Sequence, residues 1–466
     1  PSPTHMIKEV DPKSLLLPIQ MSAFIQAAFW RARSDSPPDE YIPKPRTLDK
    51  TKRLKKEAID LFRKENVQIK QELNRRVEQF KNIDDITNLQ AAENATRSLL
   101  LEYQLREMGA IYGDKSYNFC VSPVPVEKRT VQAIVETAEK GYTIFKSLPT
   151  QETQPDSPVE QYIEEQTRLL KPNGARIDVI LTPTGPKIIE VNVLWVDGFA
   201  AIQALQTVYA GNVSSPSPSE SLARVFTKKD KRRALIINMV PCLGSRFTGP
   251  SGELEKLAEL LTQNSFPTEV VEADKINPDY LDQFEAFIVN GKPKMIKNSN
   301  VPEWLKRVYG RARPATIFPV WKPYMDRKIT LVGAAVTAPD LFAPTVPLDQ
   351  KNLGLARKRY GNLVAKSDGN SSASVFFSNQ PGFDQAVQFL MQDYPGRGVI
   401  QPFLDLTPLP KTLVWDTSEN SPVVIKNPYC KFTVFITEGR TAGYFATLSP
   451  GPNINDRNYN FIPNQT

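Results

Sequence analysis

The chain of 466 residues can form two to four domains, because a domain usually contains about 100–200 residues. It is 40% hydrophobic and 23% charged, and no apolar run reaches the roughly 18–20 residues that cross a bilayer. The net charge of +7 indicates an anionic ligand but is too diffuse to indicate nucleic acid by itself. We therefore expect neither a membrane nor a nucleic-acid partner.

Histidine and cysteine usage excludes several classes of catalytic site. The three cysteines, Cys120, Cys242 and Cys430, are far apart, which argues against a disulfide framework and a zinc cluster. His5 is the only histidine and lies in the opening "PSPTHM", which is typical of an expression remnant. Histidine-dependent hydrolytic mechanisms are therefore excluded, and chemistry depends on carboxylates, lysine, arginine or a metal. Because no apolar signal segment follows the remnant, we expect a cytoplasmic protein.

The first third of the chain has helical periodicity. Apolar residues recur at helical spacing over 46–82, and similar patterns cover 87–108, 127–146 and 157–170. We assign residues 7–150 to a helical N-terminal region. Its basic stretch "KTKRLKK" could contact nucleic acid, but no aromatic or glycine-rich RNA-binding signature accompanies it, which favours a solvated helix face.

Strands and helices alternate in the rest of the chain. After a segment assigned to 151–231, the patterns "RALIINMV", "GELEKLAELL" and "EAFIVNG" predict a small α/β domain with a parallel sheet over 232–318. Residues 319–466 contain several antiparallel strand patterns and one helix pattern at 382–392. The predicted fold class is a mixture of α+β and α/β.

The stretch "ARIDVILTPTGPKIIEVNV", residues 175–193, predicts a hairpin with unusual polar residues. Its turn reads as the three-residue loop Pro183–Gly185, in which Gly185 supplies the left-handed conformation. With that loop, Thr182 faces Pro186, and the partners of every later pair follow from this register.

The predicted register places Arg176, Asp178, Glu190 and Asn192 on one face of the hairpin, together with Ile180 and Ile188. Asp178 lies opposite Glu190, and two opposed carboxylates repel each other unless a cation is present. Carboxylate and amide oxygens are ligands that Mg²⁺ prefers, and an arginine beside them could hold a phosphoryl group. The alternative is a half-exposed hairpin whose polar face is simply solvated, and spacing alone does not decide between them.

These residues resemble a motif of the ATP-grasp ligases, in particular the circularly permuted branch with glutathionylspermidine synthetase and eukaryotic glutathione synthetase. The shared pattern is R-x-D, then twelve residues from Asp178 to Glu190, then E-x-N. The resemblance implies an ATP-grasp fold in which the 232–318 unit is inserted. It further implies that Asp178, Glu190 and Asn192 bind Mg²⁺ and that Arg176 acts at the reacting phosphoryl group.

Three later segments follow the order of the same family. "FPVWKPYM" resembles its W-K segment, which implies that Lys322 reaches the phosphates of ATP. "LVAKSDGNSSASV" resembles its phosphate-covering strand–loop–strand, and "GVIQPFLDLTPLP" resembles the strand that lines the adenine pocket. The nucleotide-binding residues that these two segments imply are Lys366, Ser367, Asp368, Gly369, Asn370, Ser371, Ser372, Gln401, Phe403 and Leu404.

The resemblance implies an ATP-dependent carboxylate–amine ligase that acts on a small amino acid or peptide. Such an enzyme forms an amide bond through an acyl phosphate and releases ADP and phosphate. The loop after Lys366 is rich in serine, where the family often has Gly-Arg-Glu-Gly. This departure supports the alternative of a non-catalytic nucleotide-binding or scaffold protein with a decayed ligase fold.

Overall fold

The structure, a computed structural model, describes most of the chain beyond residue 66. The described residues are 67–107, 111–112, 115–116, 118–121, 124–149, 155, 157–193, 198–208, 217–228, 231–239, 253–291, 296, 300–310, 317–368, 375–393, 395–407, 409–451, 454, 459–461 and 463–465. The chain divides into two compact units, residues 1–100 and 101–466. In the described ranges no helix has the length and apolar character needed to cross a bilayer.

Several of the described α-helices begin after a residue whose side chain caps a free backbone N–H group, among them Ser157, Ser217 and Asp349. Ser157 caps the helix that starts at Pro158 by accepting a hydrogen bond from the N–H of Glu160 (3.1 Å), and proline at the first helical position needs no such partner. Residues 67–81 are helical. The further α-helices are α1 Asn88–Glu107, α2 Lys128–Phe145, α3 Pro158–Thr167, α4 Phe199–Val208, α5 Pro218–Thr227, α6 Glu253–Gln263, α7 Glu303–Gly310, α8 Thr330–Thr337, α9 Gln350–Tyr360 and α10 Phe383–Asp393.

Strands make up much of the second unit. They are β1 Ile111–Tyr112, β2 Lys115–Ser116, β3 Phe119–Cys120, β4 Pro125–Val126, β5 Gly174–Thr182, β6 Gly185–Asn192, β7 Ala234–Asn238, β8 Thr268–Glu272, β9 Ala286–Asn290, β10 Ile317–Phe318, β11 Val346–Pro347, β12 Leu363–Lys366, β13 Val375–Phe377, β14 Val399–Pro402, β15 Thr412–Asp416, β16 Ser421–Ile425, β17 Tyr429–Thr437, β18 Arg440–Ser449, β19 Tyr459–Phe461 and β20 Asn464–Gln465.

An eight-stranded sheet in the order β16-β15-β3-β19-β18-β17-β5-β6 places the hairpin β5–β6 at one edge. Its neighbouring strands are antiparallel, apart from the parallel pair β3 and β19. One face of the hairpin is apolar: Ile177, Val179 and Ile188 are buried in the core, where Ile188 packs against Gly141 of α2. The opposite face of β5 is therefore the one that carries the polar residues.

Two smaller sheets are formed by the strands that lie between β6 and β15 in the chain. Strands β10-β9-β7-β8 form a parallel sheet whose strands alternate with α6 and α7, as the pattern over 232–318 predicts. Strands β11-β14-β12-β13 form an antiparallel sheet that packs against α9 and α10 through residues such as Leu363, Val387 and Ile400. Short pairs β1–β2 and β4–β20 complete the described sheets.

The mixed α and β fold class is confirmed, whereas the domain boundaries at 150, 231 and 318 stay predictions. The helical character predicted for 7–150 is present over 67–81, in α1 and in α2. Residues 7–66 of that region lie outside the described part of the chain.

Candidate functional site

The turn of the hairpin differs from the predicted one. Thr182 pairs with Gly185, so the loop contains the two residues Pro183 and Thr184, and Pro186 pairs with Leu181. The predicted three-residue loop is therefore wrong, although Gly185 does have the positive φ expected of it, +114°. The hydroxyl of Thr182 donates to the carbonyl oxygen of Gly185 at 2.7 Å and stabilises this tighter turn.

A β-bulge nevertheless restores the predicted pairing at the polar end of the hairpin. The register shifts between Asp178 and Val179, and Ile189 is the extra residue on β6. Beyond it, Asp178 lies opposite Glu190 and Arg176 lies opposite Asn192, which confirms both predicted pairs. The bulge also corrects the predicted face of Ile188, which is only 1% exposed and belongs to the apolar core instead of the polar face.

Asp178 is held by two side chains of the neighbouring strand β17. Lys431 Nζ lies 2.9 Å from its Oδ2, and the hydroxyl of Thr433 donates to its Oδ1 at 3.0 Å. Thr433 is the direct cross-strand partner of Asp178, and Lys431 lies two residues away on the same face. All three side chains are buried. Both carboxylate oxygens of Asp178 are therefore engaged by protein donors.

Glu190 is paired with a different cation. Lys328 Nζ lies 2.7 Å from Glu190 Oε1, and both side chains keep some solvent exposure. Burial alone would raise the pKa of Glu190, but the positive charges of Lys328, Lys366 and Lys431 outweigh it and hold that pKa well below its usual range. Glu190 is therefore a carboxylate at neutral pH, and the predicted repulsion with Asp178 is relieved by lysines.

Lys366 and Gln401 meet at the bulge. Lys366 Nζ donates to the carbonyl oxygen of Ile189 at 3.2 Å, and Gln401 Nε2 donates to the same oxygen at 3.3 Å and to Thr345 Oγ1 at 3.0 Å. Lys366 is 6% exposed, and among the described residues its ammonium group has no hydrogen bond to a carboxylate. Burial, followed by the charges of Lys328 and Lys431, lowers the pKa of Lys366 to about 8, although the nearby carboxylates of Glu190 and Asp178 act in the opposite direction. This buried lysine would be stabilised by an anion.

Lys322, the other predicted phosphate lysine, is not brought to the hairpin. Its ammonium group donates to Glu164 Oε1 (3.0 Å) and to the carbonyl oxygen of Thr167 (2.9 Å), and the side chain is 2% exposed. Arg327 Nη2 forms a parallel pair with Glu160 Oε2 at 3.1 Å. Because Glu160 and Glu164 are one turn apart on α3, these two pairs fix the segment that leads to Lys328. Lys328 is thus the lysine of this segment that contacts the hairpin.

Five of the remaining predicted residues lie in the described part of the chain. Asp368 Oδ1 accepts a hydrogen bond from the backbone N–H of Lys328 at 2.6 Å, and burial raises the pKa of this aspartate. Ser367 is buried beside it, and Arg176 and Leu404 are half-buried. The N–H of Phe403 donates to the carbonyl oxygen of Asn362 (2.9 Å). Gly369, Asn370, Ser371 and Ser372 lie outside the described residues.

Sequence reasoning missed Lys328 and Lys431. Lys328 lies in "MDRKITL", where three consecutive charged residues read as an exposed loop. Lys431 and Thr433 alternate with apolar residues in "KFTVFI", so a polar pair on one face of a buried strand could have been noticed. The same alternation of polar and apolar residues occurs at Arg176 and Asp178 on β5. It is the sequence feature that could have indicated Lys431.

The ammonium groups of Lys328 and Lys366 are suited to bind phosphate oxygens. Of the three predicted Mg²⁺ ligands, only two have an oxygen that is available to a cation. Among the described residues, no hydrogen bond is made to Oδ1 of Asn192 or to Oε2 of Glu190, and the buried Nδ2 of Asn192 also lacks a partner. Glu190 and Asn192 can therefore still offer oxygens to a metal, whereas Asp178 as placed does not fit. Considering only the described residues, no group of three or more His, Cys, Asp or Glu is arranged to hold a metal ion.

No protein-family model matches the chain, and no curated protein matches it in sequence. Among solved structures, it is similar to a glutathione synthetase-like effector from Globodera pallida in its apo form, at 12% identity over 80% of this chain and 96% of that chain, with a TM-score of 0.46. It is also similar to a protein assigned as a gamma-glutamylcysteine synthetase from Methylobacillus flagellatus, at 14% identity over 72% and 87%, with a TM-score of 0.35. A third is N5-carboxyaminoimidazole synthetase from Staphylococcus aureus complexed with ADP, at 10% identity over 50% and 71%, with a TM-score of 0.25.

Proposed function

We propose that the chain is an ATP-dependent carboxylate–amine ligase that acts on a small amino acid or peptide. The observation that carries this proposal is the buried ammonium group of Lys366, which contacts the carbonyl oxygen of Ile189 beside the Glu190–Lys328 pair. A buried lysine whose pKa is lowered is stabilised in its charged form when an anion binds beside it. A nucleotide phosphate group is such an anion, and the order of the sequence motifs around Lys366 agrees with nucleotide binding.

Each nearby side chain has a distinct role in this proposal. Lys366 and Lys328 bind phosphate oxygens, and Arg176, on the polar face of β5, stabilises charge on the group being transferred. Gln401 orients Lys366 because both side chains share the carbonyl oxygen of Ile189. Glu190 and Asn192 would hold Mg²⁺, which supplies charge neutralisation of the phosphates when it is bound.

The reaction class is the one that the resemblance to the ATP-grasp ligases implies, and the residues that the chain offers are compatible with it. ATP serves as a substrate that activates an acid as an acyl phosphate, which an amine then converts to an amide with release of phosphate. These steps depend on positioning and on charge stabilisation, for which lysine and arginine suffice. The chain has no histidine apart from His5, so a reaction with these requirements suits it better than hydrolysis by a histidine base.

The test is ADP release from ATP and Mg²⁺ in the presence of pools of amino acids and short peptides. We expect release only when both an acid and an amine are supplied, and its loss in Glu190→Gln, which removes the charge and nearly preserves the shape. Lys187→Met is a matched control, because Lys187 lies on the same hairpin but bonds to the carbonyl oxygens of Pro339 and Asp340. ADP release that Glu190→Gln leaves unchanged would contradict the proposed site.

The lysine pairs of both hairpin carboxylates favour a second candidate, a nucleotide-binding protein without turnover. In that case Lys431 and Lys328 would serve to neutralise Asp178 and Glu190 permanently. Such a protein would bind ATP, lose that binding in Lys366→Met, and release no ADP with any pair of acid and amine. The same assay therefore separates the two candidates.

A further inference from the structure

The contact between Lys431 and Asp178 differs in kind from the contact between Lys328 and Glu190. Lys431 and Asp178 have side chains that are 8% and 3% exposed, whereas those of Lys328 and Glu190 are 12% and 22% exposed. Both pairs are largely enclosed, and Glu190 is the most exposed of the four side chains. Solvent and ligands therefore reach Glu190 more readily than Asp178.

The backbone register fixes the pair of Lys431 and Asp178. Antiparallel pairing of β17 with β5 puts Thr433 directly opposite Asp178, and the alternation of side chains brings Lys431 onto the same face. Phe432, between them, points to the apolar core and is 2% exposed, so β17 cannot turn these two side chains away without exposing it. Two paired strands, and not a loop, therefore position Lys431 beside Asp178.

Both oxygens of Asp178 are satisfied in this arrangement, one by an ammonium group and one by a hydroxyl. A divalent cation that bound there would have to displace Lys431, and the displaced ammonium would remain buried next to the metal. Two like charges in such an enclosed position repel strongly, since the interior screens charge poorly. Lys431 and a metal therefore compete for one carboxylate.

We propose that Lys431 is the permanent counter-ion of Asp178, so that Asp178 is not a metal ligand and a cation that accompanies a nucleotide would have to be held by Glu190 and Asn192 without it. This inference rests on the proposed function only for the presence of the nucleotide. It departs from the expectation from sequence, in which Asp178 is one of three Mg²⁺ ligands.

The first test measures Mn²⁺ binding to the protein by electron paramagnetic resonance in the presence of a non-hydrolysable ATP analogue. The matched variant is the double substitution Lys431→Met and Asp178→Asn, which removes both charges and leaves no buried ion unpaired. We expect the double variant to bind Mn²⁺ as the unchanged protein does, and Glu190→Gln to weaken Mn²⁺ binding by about 10-fold or more. Loss of Mn²⁺ binding in the folded double variant would overturn the inference.

The second test uses Mn²⁺ alone and so does not depend on nucleotide binding. The single variant Lys431→Met vacates the ammonium position beside Asp178, and we expect it to gain a Mn²⁺ site that the unchanged protein lacks. A Mn²⁺ site in the unchanged protein that Asp178→Asn removes would overturn the inference. If the analogue does not bind the unchanged protein, the proposed function fails, and this second measurement still decides the role of Lys431.

Discussion

Lys366 Nζ donates a hydrogen bond at 3.2 Å to the carbonyl oxygen of Ile189, the extra residue of β6 at the β-bulge. Removing Ile189 would leave a regular hairpin in which Asp178 still faces Glu190 and Ile188 still faces Val179. The bulge is therefore not needed for the polar face itself. It supplies a carbonyl oxygen to which Lys366 and Gln401 are anchored.

Deletion of Ile189 should accordingly preserve the fold and weaken nucleotide binding. Hydrogen bonds to charged groups contribute about 1.5–3 kcal/mol, so we expect a loss of about 10-fold or more in ATP affinity, measured by isothermal titration calorimetry. Ile189→Val is the control, because it keeps the backbone carbonyl oxygen and should bind ATP normally. Wild-type affinity in the deletion variant would show that the bulge has no part in binding.

Substitution of the lysines at the hairpin should separate those that bind phosphate from those that do not. Lys328→Met and Lys366→Met each remove one charge-assisted contact, and we expect ATP affinity to fall by roughly 10- to 100-fold. Lys187→Met, on the same hairpin, should leave the affinity unchanged because its ammonium group bonds to backbone carbonyl oxygens elsewhere. Equal effects of all three variants would indicate a general charge effect and no specific site.

Lys322→Met should destabilise the protein and leave its nucleotide affinity unchanged. The substitution strips Glu164 of its buried partner, for which we expect a loss of about 3–5 kcal/mol in the free energy of unfolding, measured with urea. The double variant Lys322→Met and Glu164→Gln should recover part of this loss, since no unpaired charge is left. A large fall in ATP affinity with unchanged stability would instead support the role that the sequence resemblance implies for Lys322.

ATP affinity should fall as the pH rises through about 8. Burial lowers the pKa of Lys366 from 10.5 to about 8, so the ligand-free protein loses this proton there, and a bound phosphate restores it. The same shift disfavours the folded state below pH 8, where the buried lysine is charged, and this penalty diminishes as the pH rises towards 10.5. Calorimetry in buffers of different ionisation enthalpy should detect proton uptake on binding near pH 8.

Two results would argue against that explanation of the pH dependence. Lys366→Met should abolish the proton uptake, so its persistence in this variant would assign it to another group. An affinity that stays constant from pH 7 to pH 9 would show that Lys366 does not contact the nucleotide.

Local periodicity predicted the elements that carry the polar face. The alternation along "ARIDVILT" and "PKIIEVN" led to the pairs Asp178–Glu190 and Arg176–Asn192, which the structure confirms. The turn was predicted wrongly, and the polar pairs were nevertheless correct because two errors cancelled: the loop is one residue shorter than expected, and the bulge at Ile189 adds one residue back. A bulge has no strong sequence signature, since it depends on tertiary partners such as Lys366 and Gln401.

The partners of the two carboxylates could not be predicted from local sequence. Lys431 follows Asp178 by 253 residues, and the two meet only because β17 pairs with β5. Lys328 and Lys322 are six residues apart in one segment, and what separates their roles is the pair of α3 carboxylates, Glu160 and Glu164. Resemblance to a family could suggest a lysine in this segment, but not which one contacts the hairpin.

The most direct measurement of ligase activity is oxygen transfer from the acid to phosphate. ATP, Mg²⁺ and an amine pool are incubated with amino acids whose carboxylates carry ¹⁸O, and the released phosphate is analysed by ³¹P NMR. Because an acyl phosphate leaves one carboxylate oxygen on the phosphate, we predict ¹⁸O-labelled phosphate that forms in step with ADP and is absent in Glu190→Gln. Unlabelled phosphate, or no ADP from a protein that binds ATP, would contradict the account.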